Sequence, residues 1–204
     1  MSEELEARIR SHFDAGELEE AATVALEGYG RELLGYLIAT MRSEQDAGDV
    51  FSQLSEDLWR GLPEFGWRSS FRTWSYVLAR NAAGRFRRAP QNQRHRRVGL
   101  SKISEVADRV RTETLPHLRT EVKDRFGELR RALDPDDQAL LILRVNRRMS
   151  WKEIAQVLGD ASIDDERAID RGAARFRQRF QTVKKRMHDL AKREGLLEFE
   201  EEPS

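Results

Sequence analysis

The chain has 204 residues, 35% of them charged and 39% apolar, a size for one mid-sized domain or two small ones. The absence of cysteine excludes disulfides, thiolate metal sites and cysteine nucleophiles. Net charge is zero, but it is segregated. Residues 1–64 carry 15 acidic and 5 basic side chains, residues 65–104 carry 10 Lys/Arg and no acid, and residues 167–193 carry 10 Lys/Arg against Asp170 and Asp189. Separated blocks of opposite sign point to different partners for different faces. Helix formers dominate and alternating Val/Ile/Thr runs are missing, so the expected class is all-α. No apolar run nears the ~20 residues of a membrane span. The opening Met1-Ser2-Glu3-Glu4 is acidic where a signal peptide is basic, so no membrane contact and a cytoplasmic location are expected.

In chain order, Leu18, Ala22, Ala25, Tyr29, Leu33 and Leu37 form the stripe of an amphipathic helix over residues 17–41. A second helix, 46–60, takes Asp46 as its N-cap, Val50, Phe51, Leu54 and Leu58 inward, and an outer row of Asp46, Asp49, Gln53, Glu56 and Arg60. Gly61-Leu62-Pro63 stops it. A loop over residues 64–69 carries Phe65 and Trp67. The third helix, from about Ser70 to Pro90, has Phe71, Trp74, Leu78, Ala82 and Phe86 on one face and Arg72, Arg80, Arg85, Arg87 and Arg88 on the others. Phe71 and Trp74 read as core; Trp67 reads equally as core or as an exposed ring. Residues 98–121 show no sustained stripe and are expected to be a linker with partial helix, broken at Pro116.

A last module begins near Val122. Asp134 followed by Pro135 and two more acids is a helix start, and Ser150-Trp151-Lys152-Glu153 is a capping box that opens a short helix ending at Gly159. A long basic helix follows, with Phe176, Phe180, Val183, Met187 and Leu190 on one side. Helix, short capped helix, turn, basic helix is the order of a helix-turn-helix. The four histidines, His12, His95, His117 and His188, lack metal-motif spacing, and no Gly-rich phosphate loop is present. Neither an enzyme nor a cofactor or metal is expected. The domains are therefore read as 1–97, a linker 98–121, a helix-turn-helix domain 122–197 and an acidic tail 198–204.

Three pieces, Asp46-Ala47-Gly48-Asp49-Val50 … Leu58-Trp59-Arg60, Phe65 … Ser69-Ser70-Phe71-Arg72-Thr73-Trp74 and Leu78-Ala79-Arg80-Asn81, together resemble region 2 of the extracytoplasmic-function sigma factors. Residues 133–158 resemble the start of that family's region 4, and Thr182-Val183-Lys184-Lys185-Arg186-Met187-His188 resembles its recognition helix. The resemblance implies an initiation factor that binds core RNA polymerase and promoter DNA. Asp46, Asp49, Gln53, Glu56 and Asp57 would dock on the clamp helices of the largest subunit, and region 4 near the flap of the second. Trp67, Arg68 and Ser69 would meet the −10 element, with Arg80, Asn81, Arg85, Arg87 and Arg88 on nearby phosphates. Arg179, Thr182, Lys184, Lys185, Arg186 and His188 would serve the −35 element.

Two departures stand out. Gly48 and Gln53 replace glutamates of the family's acidic motif, and residues 160–177 read as an insertion before the recognition helix. Ser52, on the acidic face between them, is a candidate phosphorylation position, so a Ser/Thr kinase joins an anti-sigma factor as a candidate regulator. Two other readings stay open: an ordinary helix-turn-helix regulator, and a sigma-like adaptor that binds protein without initiating transcription.

Overall fold

Short polar side chains set the helix starts. Ser43 accepts from the Asp46 amide, Ser70 from that of Thr73, Asp134 from those of Asp136 and Asp137, and Asp165 from that of Ala168. Ser150 and Glu153 close the reciprocal capping box expected of them. The computed structural model describes residues 2–41, 43–89, 102–121, 125–159 and 165–195, and every regular element among them is helical. The all-α class is borne out. The acidic tail and the stretch 90–101 lie outside the described residues.

Helices α1 (Ser2–Asp14), α2 (Leu18–Met41), α3 (Glu44–Gly61) and α4 (Phe71–Arg88) form the first bundle, with a 3-10 turn, Leu62–Glu64, after α3. The second module holds α6 (Arg125–Arg131), α7 (Pro135–Leu141, continued as a π turn over Ile142–Asn146), α8 (Trp151–Leu158) and α9 (Glu166–Arg193). The two modules pack on each other, α2 against α7 and α4 against α8. Arg72 ties this contact. It forks onto Glu32 at 2.7 and 3.0 Å and donates to the Arg147 carbonyl, while Arg147 donates to the Glu32 carbonyl. Thr73 donates to Glu153 across the same interface.

Three elements differ from the sequence expectation. Helix α1 was not foreseen; its Ile9 is fully buried, with Leu5 and Phe13 packed beside it. Helix α3 begins two residues before Asp46, because the Ser43 hydroxyl takes the cap. Residues 102–121 form one helix, α5, which runs through Pro116. Its Ile103, Val106, Ala107, Val110 and Thr114 are buried against α2 and α3. Spaced three and four apart, they form a stripe whose packing outweighs the hydrogen bond lost at one proline.

Candidate polymerase and nucleic-acid interfaces

The outer row of α3 does not stand uniformly in solvent. Asp46, Asp49, Gln53 and Asp57 are half-buried. Gln53 donates to Asp57 at 3.0 Å, and Asp57 also pairs with Arg85 of α4. Glu56 is only 6% exposed, with Ser104 of α5 donating to it at 2.9 Å and Arg60 3.6 Å away. Ser52 is half-buried and donates to the Gly48 carbonyl at 3.2 Å, whereas Ser55 is sealed in the core. Of the two serines, only Ser52 lies at the surface.

The loop between α3 and α4 is built on an aromatic cluster. Phe65 stacks on Trp74 at 4.6 Å, and Phe71, at 0% exposure, meets both edge-on. Trp67 sits in the left-handed region at φ 54°, a conformation that costs a bulky residue energy and persists only where its surroundings hold it. Helix α1 holds it here: Phe13 meets the indole edge-on at 5.6 Å, and the Arg10 guanidinium lies 4.6 Å above the ring. Glu6 of α1 accepts from the amides of Phe71 and Arg72 at 2.8 and 2.9 Å, which places a carboxylate at the positive end of α4. Trp67 is thus a half-buried wall of the cluster, flanked by exposed Arg68 and half-buried Ser69.

Along α4, Arg80 donates to the Gly159 carbonyl, Arg87 to the Thr40 carbonyl, and Arg85 pairs with Asp57. Arg80, Asn81, Arg87 and Arg88 share a cavity of about 320 Å³ with Tyr36 and Asp136, at the junction of the modules. Burial pushes the Tyr36 hydroxyl up to about 12, so it stays protonated there.

In the second module α9 is one unbroken helix of 28 residues, and α8 crosses its first half. A Cβ at Gly172 would lie 3.1 Å from that of Ala155, so glycine sets this close crossing. Lys152 of α8 pairs with Asp170 at 2.9 Å. The second half packs on α6 and α7, with Val183 and Ala191 buried. There Asp137, itself 3% exposed, receives Arg179 at 2.6 Å and Arg186 at 3.1 Å. Burial and the neighbouring Asp134 push the Asp137 carboxyl up against the pull of Arg179. Asp134, partly desolvated, still ends below the usual carboxylate range through hydrogen bonds from Asp137 and the charge of Arg179. Thr182, Lys184, Lys185 and His188 are exposed on the same half. Of the insertion read from sequence over residues 160–177, residues 160–164 lie outside the described residues, and 166–177 are the first turns of α9 itself, capped by Asp165.

The family model described as Sigma-70 region 2 matches residues 25–93, which span most of α2 together with α3, the aromatic loop and α4. The RNA polymerase sigma factor YlaC of Bacillus subtilis is 27% identical over 141 residues, covering 64% of this chain and 75% of that protein. The ECF RNA polymerase sigma factor SigG of Mycobacterium tuberculosis is 27% identical over 179 residues, covering 78% of this chain and 47% of SigG. The chain therefore carries a Sigma-70 region 2 segment and is similar to the extracytoplasmic-function sigma factors. It spans about half the length of SigG, and no solved structure matches it.

The matched block brings together on three consecutive elements the residues expected for polymerase and −10 contact: Asp46 to Asp57 on α3, Trp67 to Ser69 in the loop, and Arg80 to Arg88 on α4. Sequence reasoning missed the part α1 plays. Glu6, Arg10 and Phe13 hold the aromatic loop, and their signal is the i, i+4, i+8 spacing of Leu5, Ile9 and Phe13 in a charged segment. No helix among the described residues is long and apolar enough to cross a membrane, and no group of three or more metal-ligating side chains occurs among them.

Proposed function

We propose that the chain is a sigma factor of the extracytoplasmic-function type that acts by binding alone, loading promoter DNA onto core RNA polymerase through three surfaces. The observation that carries this reading is the juxtaposition within the matched segment of an acidic helix face, the aromatic loop and a helix rich in arginine and free of acid. Asp46, Asp49, Glu56 and Asp57 offer negative charge, and Gln53 a neutral amide, to the clamp helices of the largest subunit, where complementarity speeds encounter and fixes register. Trp67, Arg68 and Ser69 line the place where a base from the melted −10 element is captured, with Arg10 and Phe13 fixing the position of the indole at the edge of the aromatic cluster. Arg80, Asn81, Arg85, Arg87 and Arg88 hold the adjoining phosphates. Arg80 is bonded to the α8 end, so its transfer to DNA requires the two modules to part.

In the second module, α8 and α9 form the helix-turn-helix for the −35 element, with the flap of the second-largest subunit as its polymerase seat. The first residues of a recognition helix meet base edges, so the reading turns are those of residues 167–178. The half around Thr182, Lys184, Lys185 and His188 then lies against flanking backbone, and Arg179 and Arg186 serve the module through Asp137. Ser52 is the candidate modification position on the polymerase face: a phosphate would add about −1.5 to −2 charge beside Gly48 and Gln53. A kinase acting there, or an anti-sigma factor covering the same face, are the regulators this surface accommodates.

Replacing Arg85, Arg87 and Arg88 together with alanine will weaken holoenzyme binding to promoter DNA and flatten its dependence on salt. Each lost phosphate contact removes roughly one unit from the slope of log affinity against log salt. Binding of the native and substituted chains to labelled promoter across a salt series reads both quantities. An unchanged slope would remove these arginines from the DNA backbone.

A further inference from the structure

The expected linker does something the family match does not assign. Helix α5 lies along α2 and α3, and both helices present glycine where it crosses. A Cβ at Gly30 of α2 would sit 2.6 Å from Cγ1 of Val110, so any side chain there would collide with α5. A Cβ at Gly48 of α3 would stand 3.3 Å from the Arg111 side chain, inside ordinary contact. Between these close approaches, Ile103, Val106, Ala107 and Val110 fill the groove, and Arg109 pairs with Glu27 of α2. At the other end, Ser104 donates to Glu56. Contacts Ser104–Glu56 and Arg111–Gly48 run in opposite chain directions, so α5 lies antiparallel to α3 over eight residues, about 12 Å of its length. The covered stretch includes Glu56, one of the carboxylates assigned to the polymerase face.

We propose that α5 is an intramolecular cover on the polymerase-docking face, held by the glycine notch at Gly30 and the apolar stripe beside it, and displaced when core polymerase binds. The proposal rests on the reading that the α3 face docks on polymerase. A carboxylate capped by Ser104 and 6% exposed cannot at the same time pair with a cation of the clamp. Docked and lifted α5 therefore define two states, of which polymerase selects the second, and its apparent affinity is lowered by the fraction of chains in which the cover is closed. Gly48 gains a physical meaning in this scheme. The position that lacks the acidic motif's glutamate is also the one over which the Arg111 side chain passes, its Cδ 3.3 Å from where a Cβ would stand.

The test is a reversible lock. The chain has no cysteine, and the Cβ position at Gly30 is 3.6 Å from that of Val110, inside the ~3.5–4.5 Å a disulfide requires. The full-length Gly30→Cys/Val110→Cys variant is oxidised, freed of oxidant and titrated with core RNA polymerase beside its reduced form and the native chain. The oxidised form is expected to bind roughly tenfold or more weakly than the reduced form, and reduction should restore binding. In addition, cross-linking should be complete in the free reduced chain and suppressed once core is bound.

Equal core affinity of the oxidised and reduced forms, or cross-linking that proceeds equally in the holoenzyme, overturns the cover. Failure of the native chain to bind core is a different result, which defeats the docking reading itself. A second variant guards against a cysteine pair that misfolds. Val106→Asp/Val110→Asp should loosen α5 and raise core affinity above that of the native chain, and an affinity equal to or below native counts against the cover.

Discussion

Replacing Arg167 and Arg171 together with alanine will strip −35 sequence preference from the holoenzyme, where the Lys184→Ala/Lys185→Ala pair will lower affinity evenly across sequences. At 100° per residue, Arg167, Arg171, Ala174, Gln178 and Lys185 fall within about 60° of one another on α9. All five are exposed, and Ile169, Ala173, Phe176 and Val183 occupy the buried side. Small Ala174 between two arginines and a glutamine lets the backbone approach the groove floor. Arginine forks onto guanine and glutamine onto adenine, each such pair giving about 1–3 kcal/mol of discrimination. The double arginine substitution should therefore cost about 2–6 kcal/mol in the preference for a cognate promoter over one with a scrambled −35 element. Competition binding, on promoters selected from genomic fragments by the native holoenzyme, reads that ratio. A preference lost in the lysine variant and kept in the arginine variant would move the reading turn to Thr182–His188.

The second large effect concerns stability. Phe71→Ala should destabilise the first bundle by about 3–5 kcal/mol, the range for emptying a sealed phenylalanine site. The ring is 0% exposed, and Phe65, Trp67 and Trp74 lie 5.5, 6.3 and 5.2 Å from it, centroid to centroid. Its loss undermines the cluster that carries the −10 loop, so affinity for single-stranded −10 DNA should fall alongside. Val145, 54% exposed, is the control, and its alanine variant should stay within about 0.5 kcal/mol of native. Chemical denaturation followed by tryptophan fluorescence measures both. A Phe71→Ala cost below about 1 kcal/mol would show that the cluster does not support the loop.

Much of this architecture is local and hence legible in the chain. Ser150 with Glu153, Asp134 with Pro135, and the stripe Val50, Phe51, Leu54, Leu58 are patterns that a helix reads from its own sequence. What was hidden depends on neighbours distant in the chain. Glu56 looks like any outer carboxylate until Ser104, 48 residues later, closes over it. Glu6 acts on amides 65 and 66 residues away. Arg186 belongs to a basic run by sequence, yet it is spoken for by Asp137. The stripe of α5 is present in Ile103, Val106, Ala107 and Val110, but Pro116 is a residue that ordinarily ends a helix. Gly30 and Gly48 weaken the helix by propensity, but three-dimensional packing gives them a use that composition does not disclose.

The measurement that bears most directly on the sigma-factor assignment is promoter-selective run-off transcription with purified components. Core RNA polymerase, alone or with this chain, is incubated with fragmented genomic DNA from the source organism, and the 5′ ends of the transcripts are mapped. Discrete start sites are expected only when the chain is present, with shared elements upstream and loss of those transcripts in the Arg85, Arg87, Arg88 triple alanine variant. Chain-dependent DNA binding without core and without new start sites would make it a helix-turn-helix regulator. Core binding that yields no start sites would make it an adaptor, and either outcome would contradict the account.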